Sequence, residues 1–260
     1  LVTKSDIKKA KKYVPKKVIK ALNTANERIT SYHKKQLPED SFYYDKEGIG
    51  LGHRWSPISS VGVYVPGGTA VYPSSVLMNS IPAKVANVER IVMVVPAKNG
   101  EIDPVILAAA EISGIQEIYK VGGAQAIGAL AFGTESIKPV DKIVGPGNIF
   151  VATAKKQVFG MVGIDSFAGP SEILVVSDSE GNPEWVAADL LSQAEHDSNS
   201  RSILICDSDE FANKVEDKVE LFLRSLKRSK IAAESWNTNG LIITINNINK
   251  AGPIIDKIAP

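Results

Sequence analysis

The chain has 260 residues, with Lys+Arg 30 against Asp+Glu 29 and a formal net charge of +1; 44% of it is hydrophobic and 23% charged. So much apolar matter rules out intrinsic disorder, and the neutral balance argues against a nucleic-acid partner, since such binders carry a clear positive excess. A single cysteine, Cys206, excludes an internal disulfide framework and a multi-cysteine zinc site, and it suits a reducing compartment. No apolar run approaches the roughly 18 residues that a membrane helix needs. The opening LVTKSDIKKAKKYV shows no apolar segment after its charges, as a signal peptide would. There is no starting Met, so residue 1 is expected to be either a processed start or not the natural one.

Residues 1–35 read as helical. Ile7, Ala10, Val14, Val18, Ala21, Ala25 and Ile29 recur near the helical period, and Pro15 is expected to split the segment in two. The Lys-rich side fits a solvated helix face better than a nucleic-acid arm, because the chain is neutral overall. Residues 36–60, with Pro38, Gly48, Gly50, Gly52 and Pro57, are expected to be irregular.

From Val61 the pattern changes. The β-branched runs VGVYV, RIVMVV, EIYKV, DKIV, EILVV, RSILIC and LIITI alternate with helical stretches. Near-continuous apolar strands between helices predict an α/β fold of parallel sheets with helices on both faces. Asp103 before Pro104, and Asn182 before Pro183, each place a good N-cap ahead of proline at the first helical position. Residues 209–228 carry Phe211, Val215, Val219, Phe222 and Leu226 on one face, which marks a cover helix without chemistry. MVGIDSFAGPSE looks like a crossing point between two sheets. Two domains are therefore expected: residues 61–171 form one, and residues 1–60 together with 172–260 form the other.

Four strand ends are expected to turn into helices through glycine: Val65–Gly68, Val121–Gln125, Gly145–Asn148 and Ala168–Glu172. Ligands of open parallel sheets bind at carboxyl strand ends, glycine admits them closely, and helix N-termini favour phosphate. One such turn is ordinary βα geometry; four in one chain favour a site for a phosphate-bearing or dinucleotide ligand. The G-x-G-x-x-G fingerprint is absent, so a nicotinamide cofactor would not use the standard pyrophosphate turn.

PEWVAADLLSQAEHD puts Asp189, Gln193 and His196 on one helical stripe between apolar neighbours. Gln193 and His196 are spaced to face one metal ion. On spacing alone, a hydrogen-bonded helix end is the better account, since a cation is favoured there anyway and two ligands do not complete a zinc site. Ser171 lies outside any G-x-S-x-G elbow, so a hydrolase nucleophile is unsupported. Cys206 closes an apolar strand and reads as an inert core thiol.

VGVYVPGG, VGGAQAIGALAFGTE, VDKIVGPGN, IDSFAGPSE and DLLSQAEH together resemble the histidinol dehydrogenases, in that family's order and near its spacing, over essentially the whole chain. The resemblance implies two incomplete Rossmann-like domains, a cytoplasmic homodimer, and oxidation of L-histidinol to L-histidine through the aldehyde with NAD and zinc. It places Tyr64, Gln125 and Asn148 against NAD, Ser171, Gln193 and His196 against the substrate, and Gln193 and His196 on the zinc. It also implies that a Glu-His acid/base pair, and an Asp and a His completing the zinc site, follow beyond Pro260. On that basis residues 1–260 are expected to be an inactive fragment holding half of the metal site. Two alternatives remain: a dehydrogenase of another small alcohol, such as a sulfonated propanediol, and a truncated paralogue that binds a nucleotide without catalysis.

Overall fold

The computed structural model describes residues 1–67, 71–167 and 169–260, apart from the Lys4 side chain. The helical N-terminus divides at Pro15 into α1 (Lys4–Lys11) and α2 (Lys16–Lys34). Thr3 and Asp6 cap α1 reciprocally, each side chain accepting the other residue's backbone N–H.

The prolines and glycines of residues 36–60 predict an irregular segment, but part of it is regular. Strands β1 (Ser41–Tyr44) and β2 (Gly50–His53) pair antiparallel. The Asp45 carboxylate accepts the N–H groups of Glu47 and Ile49, closing the connection with side-chain chemistry rather than a two-residue turn.

There follow β3 (Ser60–Tyr64), α3 (Pro73–Val85), β4 (Arg90–Val94), α4 (Pro104–Ser113), β5 (Glu117–Tyr119), α5 (Gly123–Phe132), β6 (Lys142–Val144), α6 (Ile149–Val158) and β7 (Gly163–Ile164). The last part of the chain comprises β8 (Glu172–Ser177), α7 (Pro183–Ala194), β9 (Arg201–Cys206), α8 (Asp209–Leu223), α9 (Ser229–Asn239), β10 (Leu241–Thr244) and α10 (Gly252–Ile258). Asp103 and Asn182 cap α4 and α7 as their sequence context demands. All seven strands expected from the apolar runs form; α9 is an addition, because SKIAAESWNTN has neither a strong apolar stripe nor a side-chain cap.

The chain divides into two compact units, residues 1–168 and 169–260. In the first unit five strands pair in parallel in the order β5-β4-β3-β6-β7. Both faces are buried. Val63, Val65, Met93, Val95 and Ile118 face a core shared with α1–α4, while Tyr64, Val92, Val94 and Ile143 face a core shared with α5 and α6. Strand alternation assigns these sets to opposite faces.

The second unit pairs β10-β9-β8 in parallel, with α7, α8 and α9 supplying its core around Leu190, Leu204 and Val215. Each unit is thus a parallel sheet flanked by helices, Rossmann-like but incomplete; the first has a core on each face, whereas α7, α8 and α9 of the second share one core.

The division falls within the segment expected to cross between sheets, but the N-terminal helices do not group with the C-terminal residues as expected. Ile7, Val14 and Leu22 are buried in the first unit's core, with Ala10, Val18, Ile19, Ala25 and Ile29 packed against it. Periodicity shows that these helices have an apolar face; which sheet receives it depends on where an uncovered face remains, and that is a tertiary property.

Arg90, at the amino end of β4, ties together the amino ends of the first sheet. Its Nε and Nη2 donate to both carboxylate oxygens of Glu117 on β5 at 2.8 and 2.9 Å, and its Nη1 donates to the carbonyl of Pro139, ahead of β6, at 3.0 Å. The Arg90 guanidinium holds the Glu117 carboxyl below its ordinary value of 4.5, against the opposing effect of burial. A carboxyl so depressed stabilises the fold above its ordinary pKa, and the contribution is lost as pH falls through the folded value. The E117Q variant should be about 1 kcal/mol less stable at neutral pH. The gap from wild type should close as urea unfolding is repeated at pH values below 4.5. An undiminished gap in acid would assign the effect to packing.

Candidate active site

Because every strand of the first sheet is parallel, the segments after β3, β5 and β6 emerge at one edge, the carboxyl edge. The chain steps outward from β3 through β4 to β5, then returns to the other side of β3 with β6. Strand order reverses there, and the connections diverge to open a crevice. Three of the four glycine turns meet on this edge. Gly68 of the first turn lies outside the described residues.

The turns are built for close approach. A Cβ on Gly122 would lie 2.2 Å from Pro96 Cγ, so the turn after β5 seats directly on the second residue after β4. Gly145, which ends β6, has φ +109°. A Cβ there would lie 2.1 Å from the Tyr64 carbonyl oxygen, so the ends of β3 and β6 touch backbone to backbone.

The three residues expected at a dinucleotide sit on this edge. Tyr64 closes β3 and is 4% exposed; its hydroxyl accepts the Gly123 N–H at 3.1 Å, pinning the start of α5 to β3. Its own hydroxyl hydrogen is left for a ligand. Gln125 is exposed on the first turn of α5. Asn148 is the N-cap of α6: its Oδ1 accepts the Val151 N–H at 3.2 Å, which leaves its amide NH₂ to donate. The set is rich in donors and stands beside two helix N-termini, a chemistry suited to phosphate and ribose oxygens.

The turn itself is held from beneath by residues not singled out in the sequence. Lys155 of α6 is 3% exposed and ion-pairs with Asp165, which follows β7. Lys155 Nζ donates to the Gly145 carbonyl at 3.1 Å, and Asp165 Oδ2 accepts the Gly145 N–H at 2.8 Å. Lys155 stands in the run AKKQV, where periodicity alone does not mark one lysine as buried.

The fourth glycine turn differs from expectation. Ala168 lies outside the described residues, and Ser171 is followed directly by β8 rather than by a helix. Ser171 therefore stands at the amino end of β8, exposed, its carbonyl accepting the Arg201 N–H at 3.0 Å.

Gln193 and His196 belong to the same amino edge of the second sheet, at the end of α7 and just before β9. Gln193 is half-buried and its Nε2 donates to Ser200 Oγ at 3.4 Å, which directs its amide oxygen elsewhere. His196 is exposed, and its N–H donates to the Gln193 carbonyl at 3.0 Å. Asp189, the third member of the stripe, is exposed, and its carbonyl accepts the Ser192 hydroxyl at 2.7 Å. Residues 196–200 are fastened to α9 and its N-cap: Arg228 Nη2, at the cap, donates to the His196 carbonyl at 3.2 Å, Asn239 Nδ2 to that of Ser198 at 3.1 Å, and Ser235 Oγ to that of Ser200 at 2.9 Å. α9 was not expected, so these bonds had no sequence signal.

An imidazole and an amide oxygen three residues apart suit one side of a metal ion. Among the described residues, no group of three His, Cys, Asp or Glu side chains is placed to hold one. The present donors fit a shared part of a metal site, not a closed one. Cys206 is fully buried, and desolvation pushes its thiol up, in keeping with an inert core residue. Among the described residues no helix is long and apolar enough to cross a membrane.

The family model described as histidinol dehydrogenase matches residues 1–260. A histidinol dehydrogenase of Rhizobium meliloti is 56% identical over 259 residues, covering 100% of this chain and 60% of the relative. Histidinol dehydrogenase 1 of a Nostoc species is 59% identical over 240 residues, 92% of this chain and 56% of the relative. The crystal structure of histidinol dehydrogenase from Elizabethkingia anophelis superimposes with a TM-score of 0.93 at 39% identity, over 100% of this chain and 60% of that one. The chain thus spans about 60% of the length of the relatives it matches.

Gly145→Ala combines a left-handed φ with a backbone clash and should destabilise the first unit by about 3 kcal/mol. Chemical denaturation checks this; a loss below about 0.5 kcal/mol, the scale of an ordinary surface change, would mean that the turn relaxes freely.

Proposed function

Since this chain belongs to the histidinol dehydrogenase family, we propose that it carries the dinucleotide site and half of the zinc site of an enzyme that oxidises L-histidinol to L-histidine. The observation that carries the reading is the meeting of Tyr64, Gln125 and Asn148 at the carboxyl edge where strand order reverses.

In the first step the alcohol of histidinol loses a proton from oxygen and a hydride from carbon, giving the aldehyde and NADH. In the second, water adds to the aldehyde, and the resulting diol loses a proton and a second hydride to another NAD. Bound zinc supplies Lewis-acid polarisation and a template for the substrate's oxygen and amine.

The chain's own residues bind and orient. Tyr64 and Asn148 donate to the dinucleotide through the hydrogens that their internal bonds leave over, and Gln125 adds its amide from α5. Gln193 and His196 would hold zinc through the amide oxygen and an imidazole nitrogen, with the Gln193–Ser200 bond turning that oxygen outward. Ser171 would hold the substrate. None of these six is the general base; the family resemblance assigns that role to a Glu-His pair outside residues 1–260. The same reading makes the intact protein a cytoplasmic homodimer.

Residues 1–260 alone should therefore bind NADH, seen as a change in its fluorescence, yet form no NADH from histidinol and NAD. Turnover by this chain alone would refute the assignment of the base. In the intact protein, His196→Ala should lower zinc affinity by more than the roughly 10–100-fold that loss of an outer partner costs, while NADH still binds. Unchanged zinc affinity would remove His196 from the ligand set.

A further inference from the structure

The NAD reading leaves one feature of the first unit without a role: a buried charged pair beneath the turn after β6. Lys155 is almost wholly buried, and Asp165 is about a third exposed. Burying a lysine costs desolvation that an apolar side chain would avoid, and such a pair is weak as a source of stability. The turn after β5, by contrast, rests on the neutral Pro96.

The pair meets one peptide unit from both sides. Asp165 Oδ2 accepts the Gly145 N–H at 2.8 Å, and Lys155 Nζ donates to the Gly145 carbonyl at 3.1 Å. The other Asp165 oxygen takes Lys155 and the Ser166 N–H, the latter at 2.8 Å. Both polar groups of Gly145 are thus fixed by charged partners from two different elements. Gly145 cannot pair with β3 in the ordinary way, because it presses on the Tyr64 carbonyl at φ +109°. Three residues on stands Asn148, and seven further on, two helical turns along the same face of α6, stands Lys155. The helix that Asn148 caps therefore also supplies the cation that grips the turn leading into it.

We propose that Lys155 and Asp165 are positioning residues of the dinucleotide site, clamping the Gly145 peptide so that the segment 146–148 stands over the crevice between β3 and β6; the proposal rests on the NAD reading above. They touch no reacting atom. Their effect passes through the turn, so it should appear in NAD binding and leave the metal half of the protein alone.

The test uses the intact protein, with Lys155→Met and with the paired change K155M/D165N, which leaves no unpaired buried charge if the single variant fails to fold. NADH is titrated by fluorescence, zinc content is measured, and folding is followed by circular dichroism. The expected result is that folded variants bind NADH about tenfold more weakly or worse, with KM for NAD raised by a larger factor than kcat is lowered, zinc content unchanged, and partial recovery in K155R. A folded variant with wild-type NADH affinity overturns the clamp and leaves the NAD reading standing. Failure of the wild-type protein to bind NADH overturns that reading and the proposal with it. If neither variant folds, the pair serves the fold rather than the site, and the proposal is likewise overturned.

Discussion

A parallel sheet must bury both faces, so the strand ends are the only edges at which it can meet a ligand. In the first unit this constraint is fully expressed. Val63 and Met93 serve one core, Tyr64 and Val94 the other, and no strand face is left for chemistry. What remains is the carboxyl edge, where β3 is flanked by β4 on one side and β6 on the other. The close backbone contact of Gly145 with Tyr64 then sets how narrow the crevice floor can be. Two of the three residues proposed to meet NAD do double duty there: Tyr64 holds Gly123 and Asn148 holds Val151, and both keep a hydrogen to spare.

The second unit solves a different problem at its opposite edge. Ser171 and His196 stand just outside regular elements, ahead of β8 and β9, and Gln193 stands in the last turn of α7, so some backbone groups here lie beyond any helix or sheet ladder. Arg228 at the N-cap of α9, with Asn239 and Ser235 of that helix, takes up that burden, donating to the carbonyls of His196, Ser198 and Ser200. The cost of an irregular segment is offset by side-chain bonds, and its geometry is thereby made definite. That suits a residue pair asked to present donors to a metal, because ligand orientation depends on such outer contacts.

Arg90 and Lys155 show two uses of a cation in one sheet. Arg90, with its planar fork, spans Glu117 and the Pro139 carbonyl at the amino edge, where its expected effect is on stability. Lys155 delivers a point charge to a single carbonyl at the carboxyl edge, where the ligand is proposed to lie.

Local pattern determined much of this protein by itself. Apolar runs located seven strands, proline and capping residues located the helix starts, and five motifs pointed to the family and to six site residues. These depend on neighbours in sequence, through side-chain period, fixed proline φ and short-range capping bonds. The tertiary structure decided the rest. It placed α1 and α2 on the first sheet instead of with the C-terminal residues, because an apolar stripe does not specify which uncovered face it will join. It paired Ser41–Tyr44 with Gly50–His53 despite their glycines, set Ser171 directly ahead of a strand, and selected Lys155 over its neighbour for burial. Each of those outcomes rests on contacts between residues distant in sequence, and such contacts leave no period to read.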